Sequence, residues 1–267
     1  MTTHRIAAIQ MVSEPAVEVN LAAAGELIAR AVQGGARLVA LPENFAFMGT
    51  DEGDKLAVRE RDGTGPIQDF LANAAARSRV WIVGGSIPMD CGEPDKVANA
   101  CLVYDDTGRR VARYDKIHLF GFESGAERYE EARTVAPGDR TVAVDTPFGR
   151  AGLSICYDLR FPELYRAFAG ANLVFVPSAF TYTTGSAHWE PLLRARAIEN
   201  LAWVIAPAQG GTHPNGRRTW GHTMVVDPWG AIRAELDEGP GVVVSDIDPA
   251  FQARMRASLR ALEHRVL

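Results

Sequence analysis

Residues 4–41, HRIAAIQMVSEPAVEVNLAAAGELIARAVQGGARLVAL, change their hydrophobic period twice, and those changes decide the fold class. HRIAAIQM (4–11) is a short apolar run of the kind a buried strand shows. After Pro15 the period becomes helical. Val17, Leu21, Ala24, Ile28 and Ala31 share one face until Gly34-Gly35 ends the helix. Arg37 to Leu41 then reads as a second strand, which completes a β-α-β unit.

Outward from this unit the pattern continues with a helix over 65–78 and the strand VWIVGGSI at 80–87. VANACLVYDD and RRVARYDK flank the hairpin signal Thr107-Gly108, and TVAVD and RAGLSI flank Thr146-Pro147-Phe148-Gly149. LVFVP (173–177), a helix over 188–200 and WVIAPA (203–208) restore strand-helix-strand order. HTMVVD and VVVSDID lie on either side of the turn Asp227-Pro228-Trp229-Gly230. The expectation is a layered α/β fold with mixed sheets and helices on the outer faces. The two β-α-β-rich halves suggest pseudo-symmetry, although no repeat of fixed period is visible.

A chain of 267 residues with 47% hydrophobic and 23% charged content can bury one large core. No linker-like segment divides it, so one domain over 1–267 is expected. The 28 basic and 33 acidic residues give a charge of -5, which offers no attraction to nucleic acid or to an anionic membrane and leaves a small molecule as the expected partner. No apolar run reaches the roughly 18 to 20 residues that span a bilayer, and the start carries no signal-peptide core. Cys91, Cys101 and Cys156 make neither an even disulfide set nor a C-x-x-C pair. A reducing, cytoplasmic location follows as the expectation, with at least one free thiol.

Cys156 ends the apolar run AGLSIC, just before YDLRFPELYR, where Pro162 suits the first turn of a helix. In open α/β sheets ligands bind beyond the carboxyl ends of strands, so this sulfur would be displayed there. Glu43 in LPENF follows the strand RLVAL, and Lys116 in YDKIHLF follows RRVARYD. The plain alternatives are a buried Cys, a solvated Glu and a Lys paired with Asp115. Together, however, thiol, carboxylate and ammonium are complementary parts for acyl transfer. A thiol is only a few per cent ionised at neutral pH, a carboxylate can take its proton, and an ammonium can hold the charge on a tetrahedral oxygen.

LPENF, YDKIHLF and SICYDLRFPELYR, in this order, resemble the three motifs of the nitrilase superfamily of carbon-nitrogen hydrolases. The resemblance continues through PSAFTYTTGSAHWEPLLRARAIEN and GHTMVVDPWG, and so covers nearly the whole chain. It implies a four-layer αββα sandwich with Glu43 as general base, Lys116 as oxyanion stabiliser and Cys156 as nucleophile. It further implies a second carboxylate at Glu131, with Glu130 as competitor, and a carboxylate-binding Arg160 whose alternative is pairing with Glu163. Tyr157 would supply a backbone N–H to the oxyanion, and Phe180 and Thr184, in the loop after LVFVP, would line the pocket.

The implied route is attack of Cys156 on an amide, loss of ammonia with a proton from Glu43, a thioester, and hydrolysis by a water that Glu43 deprotonates. No cofactor or metal is implied, and pairing of sandwiches makes a homodimer the expectation. Within the superfamily the later blocks resemble the deaminated glutathione amidase branch, with the ω-amidase branch, acting on α-ketoglutaramate, close behind. Carbamoyl-amine and nitrile hydrolysis rank lower. Trp189 shares an apolar helical face with Leu192, Leu193 and Ala197, which reads as core, while His188 is ambiguous. His118 and His222 invite a Cys-His reading that the family pattern does not use. A scaffold with a degenerate site would lack one of the three residues, and a serine hydrolase would need G-x-S-x-G where GLSIC stands.

Overall fold

A computed structural model describes residues 3–125, 127–168 and 170–266 of the chain. The opening stretch forms strand His4–Gln10, helix α1 (Val17–Gln33) and strand Leu38–Ala40. The two strands are parallel, with Ile6 opposite Leu38 and Ala8 opposite Ala40. Helix α2 (Pro66–Ser78) and strand Trp81–Val83 repeat the unit. Alternation along the strands decides which face meets the helices. Ala7, Ile9, Val39 and Leu41 pack with Ala24, Leu27 and Ile28 of α1 and with Leu71 and Ala75 of α2. Ile6, Ala8, Leu38 and Ala40 point the other way, into a core shared with a second sheet.

The first sheet runs Gly241–Ile247, His4–Gln10, Leu38–Ala40, Trp81–Val83, Val97–Tyr104, Ile87–Asp90, with Arg110–Asp115 and Val135–Ala136 also paired to Val97–Tyr104. The second runs Val142–Thr146, Gly149–Leu153, Leu173–Phe175, Trp203–Ala206, Thr223–Val226, Ile232–Leu236. Along both orders the pairing is antiparallel, parallel, parallel, antiparallel, antiparallel. The internal symmetry is therefore one of topology. Helices α3 (Pro162–Arg166) and α4 (Tyr182–Asn200) make the crossovers of the second sheet, and Trp189, Leu193 and Ala197 of α4 are fully buried in its core. Two sheets face to face between helices make a four-layer αββα sandwich.

Four local expectations are corrected. The run 80–87 breaks after Val83 because Gly85 has φ +56° and lies so close to the 41–42 backbone that a Cβ would sit 2.0 Å from the Pro42 carbonyl oxygen. The next strand is Ile87–Asp90. Helix α4 begins at Tyr182, ahead of His188, because the Thr181 hydroxyl caps it by accepting the Thr184 N–H. Thr184 is therefore helical and does not lie in a loop. Finally, the turn at Asp227–Gly230 leads to Ile232–Leu236, whose alternating, half-buried residues give a weak signal. VVVSDID instead crosses to the first sheet, placing Ile247 opposite His4.

Candidate active site

Glu43 leaves the end of strand Leu38–Ala40 on a backbone fixed from three sides. Asn44 has φ +56°, its N–H donates to Ser86 Oγ (3.1 Å), and Gln209 Nε2 donates to the Glu43 carbonyl (3.0 Å). The Glu43 carboxylate is buried, with only 3% of the residue exposed. Its Oε1 accepts from Lys116 Nζ (2.9 Å) and Asn99 Nδ2 (3.0 Å), and its Oε2 accepts the N–H of Ala179 (2.8 Å).

Lys116 follows strand Arg110–Asp115, and its main chain is clamped by N–H donation to Asn99 O (2.9 Å) and by the Gly138 N–H on its own carbonyl (2.8 Å). It does not pair with Asp115, which is held by Arg113 at 2.8 Å. Nζ instead reaches Glu131 Oε1 (3.0 Å) and Oε2 (2.8 Å) as well as Glu43. Glu131 in turn accepts the Phe120 N–H (2.7 Å) and shares Asn99 Nδ2 (3.3 Å). Glu130 is exposed, so of the two candidates Glu131 is the one that enters the cluster.

Cys156 opens a 3-10 turn, Cys156–Arg160, at the end of strand Gly149–Leu153. It has φ +50°, a left-handed backbone that a non-glycine residue holds only when its surroundings impose it. The imposing group is Asp158, wholly buried. Its Oδ2 accepts from the Ile155 N–H (2.8 Å) and Tyr114 Oη (2.7 Å), and its Oδ1 from the His118 N–H (3.1 Å). His118 Nδ1 lies 2.7 Å from Asp158 Oδ1, and its ring stacks on Phe161 at 3.7 Å. The Lys116 segment and the Cys156 turn are thus tied through one carboxylate. His222 bonds Glu235 (2.8 Å), so neither histidine is hydrogen-bonded to Cys156. Ser154 is buried against Tyr165 Oη (2.9 Å) and Phe175 O (2.8 Å), a structural role.

Burial, and then the charge of Glu43, push the Cys156 thiol well above its usual range, against the pull of Lys116 and the Ala179 N–H. The resting sulfur is therefore protonated. Burial disfavours the Lys116 ammonium, but Glu131 and then Glu43 outweigh it and hold its pKa well above the ordinary value. For Glu131 burial acts upward, yet the Lys116 charge and hydrogen bond bring the net shift below the ordinary range.

Arg160 makes no bond to Glu163. Its Nη1 is 3.2 Å from His188 Nδ1, and its Cζ lies 5.7 and 5.6 Å from the ring centroids of Tyr157 and Phe180. Thr184 Oγ1 is 2.9 Å from Thr181 Oγ1. Glu43, Lys116, Glu131, Cys156, Tyr157, Arg160, Phe180 and Thr184 all line one cavity of about 470 Å³. Sequence reasoning missed Asn99, which the lone amide in the apolar run VANACLVY could have signalled, since a buried amide needs partners. It also missed the Ala179 N–H, which no side chain betrays, and Arg217, which lines the cavity and donates from Nη2 to Ala179 O (3.0 Å). Among the described residues, side chains of metal-ligand type come together at His222, Glu235 and Asp237, outside this cavity.

Residues 5–257 match the carbon-nitrogen hydrolase family. The chain belongs to that family. It is 45% identical over 272 residues to the deaminated glutathione amidase of Synechocystis sp. (strain PCC 6803 / GT-S), covering 100% of this chain and 99% of the relative. Among solved structures, Saccharomyces cerevisiae Nit3, a member of branch 10 of the nitrilase superfamily, matches with a TM-score of 0.87 and 31% identity over 96% of this chain and 94% of that one. A mutant amidase from Nesterenkonia sp. AN1, which shows Michael addition of acrylamide at its active-site cysteine, matches at 0.80 and 29% over 96% and 98%. This carbon-nitrogen hydrolase is accordingly an enzyme of the nitrilase superfamily that cleaves non-peptide C–N bonds of linear amides, with a small-molecule amide as substrate. No described helix is long and apolar enough to cross a membrane.

Proposed function

We propose that Cys156, Glu43 and Lys116 carry out amide hydrolysis through a thioester, with Glu131 holding Lys116 and Arg160 gripping a substrate carboxylate. The observation that carries this is Lys116 Nζ bridging Glu43 (2.9 Å) and Glu131 (2.8 Å) in the cavity that Cys156 lines. Because the thiol is protonated at rest, its proton passes to Glu43 as sulfur attacks the amide carbon. The oxyanion is met by Lys116 and by the Tyr157 N–H, in the first turn of the 3-10 segment where amides lack helical partners. Collapse breaks the C–N bond and returns the proton from Glu43 to the leaving nitrogen. Glu43 then deprotonates a water that attacks the thioester, which releases the acid and restores the thiol.

Deaminated glutathione is the best substrate for this reading, supported by the name of the relative and by Arg160, a guanidinium with no carboxylate partner among the described residues. Both amides of that molecule are secondary, so its leaving group is an amine, whereas the ω-amidase substrate α-ketoglutaramate releases ammonia. The test compares kcat/KM for deaminated glutathione, α-ketoglutaramate, a carbamoyl amino acid and a nitrile. A preference of about 100-fold for the first, or roughly 2.7 kcal/mol of transition-state binding, is expected. Equal or greater efficiency on α-ketoglutaramate would move the enzyme to the ω-amidase branch.

We read 1–267 as one domain, supported by a core that both sheets share. Three cysteines outside any disulfide support a cytoplasmic location. Exposed Ile198 and Trp229 support a homodimer, which sedimentation of the same preparation as a monomer would contradict.

A further inference from the structure

Besides Arg160 the cavity is lined by Arg128, which is exposed, and by Arg217, a half-buried guanidinium that this reaction leaves unused. Arg217 sits between strands Gly210–Thr212 and Arg218–Trp220, in a loop closed by the His213 N–H on Arg217 O (2.9 Å) and by the Arg217 N–H on Asn215 Oδ1 (2.9 Å). Asn215 Nδ2 fastens the loop to Gly49 O (2.7 Å). Arg217 Nη2 donates to Ala179 O (3.0 Å), and its Cζ lies 5.1 Å from the Tyr129 ring centroid. These contacts hold the group without neutralising it. Among the described residues Arg217 has no ion pair, its Nη1 has no hydrogen-bond partner, and its Nε is buried without one. At the same wall Glu52 is taken by Lys55 (2.9 Å).

A fixed guanidinium with unused donors is the partner a carboxylate binds with two hydrogen bonds. Arg160 is a second one. It comes from the Cys156 turn and lies over the Phe180 ring, while Arg217 comes from the hairpin and holds the carbonyl of Ala179. The two cations therefore approach consecutive residues from different elements. Their charges lie on the wall of a cavity whose buried ammonium, Lys116, is already committed to Glu43 and Glu131.

We propose that Arg217 forms a second carboxylate subsite, so that the substrate class is a linear amide with an acid group on each side of the scissile bond. Arg160 takes the acid of the acyl part and Arg217 the acid of the leaving amine. The proposal rests on the thioester reading above.

The experiment measures kcat/KM on deaminated glutathione, its glycine-end methyl ester and its keto-acid-end methyl ester, with wild type, Arg217→Met, Arg217→Lys and Arg160→Met. Wild type should lose about 30-fold or more on glycine-end esterification, a factor in the range of a charge-assisted pair. Arg217→Met should treat that ester and the diacid alike while still rejecting the keto-acid-end ester. Arg217→Lys should recover part of the discrimination, and Arg160→Met should show the opposite pattern. The acid-to-ester ratio is the readout because Arg217 also supports Ala179, and a general loss of rate would cancel from it. Two results would overturn the subsite: wild type indifferent to the glycine-end ester, or Arg217→Met and Arg160→Met both losing the same single discrimination. Failure of the thioester reading is distinct, because amide turnover would then survive in Cys156→Ala whatever these ratios are.

Discussion

Lys116 must stay charged where burial disfavours charge, and two carboxylates make that possible. Glu131 is the larger of the two influences on it and gives up its own freedom to titrate normally. The sign follows from the lowered pKa of Glu131. Its stabilising effect is complete above the unfolded glutamate value of about 4.3 and is lost as pH falls through the lower folded value. Urea unfolding should therefore show stability falling as pH drops below about 5, and Glu131→Gln should flatten that acid limb by up to one proton. Identical acid slopes would show that the Lys116–Glu131 contact carries no linkage.

At the scale of elements, the Cys156 turn and the Lys116 segment are held in one geometry by Asp158. Asp158→Asn keeps the shape but faces amide protons toward groups that are themselves donors. A loss of about 2–3 kcal/mol is expected, together with a lower kcat although Asp158 touches no substrate. A change in unfolding free energy under about 0.5 kcal/mol would contradict that role.

The β-α-β runs were legible because both faces of their strands are covered, so the apolar signal is continuous. Ile232–Leu236 was hidden by its polar alternate residues, and the first turn of α4 by a polar cap and by Gly185, where a Cβ would stand 2.3 Å from Trp220 Cβ. In the candidate site, Glu43, Lys116 and Cys156, which line one cavity, were legible as chemistry-bearing types after strands. Asn99 sat inside an apolar run, Ala179 contributes only its backbone, and Arg217 looked like one more polar loop residue.

Across the whole molecule, the two topologically equivalent sheets each deliver half of the proposed reacting centre. Glu43 and Lys116 follow strands of the first sheet, while Cys156 and the Ala179 N–H follow strands of the second. The face-to-face packing that buries the core also sets Glu43 against Ala179 at 2.8 Å. The sandwich thereby brings together Glu43 and Cys156, the proposed base and nucleophile, which are far apart in sequence, on the wall of one cavity.

The most direct measurement is rapid-quench intact-mass analysis during amide turnover, with wild type and Cys156→Ala compared under conditions where thermal unfolding shows both folded. Wild type should accumulate one acyl group per chain on Cys156, with a matching first-turnover release of the amine. Cys156→Ala should form no adduct and lose turnover by about 1,000-fold or more, as nucleophile deletions do. A folded Cys156→Ala enzyme that turns over the amide at the wild-type rate would contradict the account.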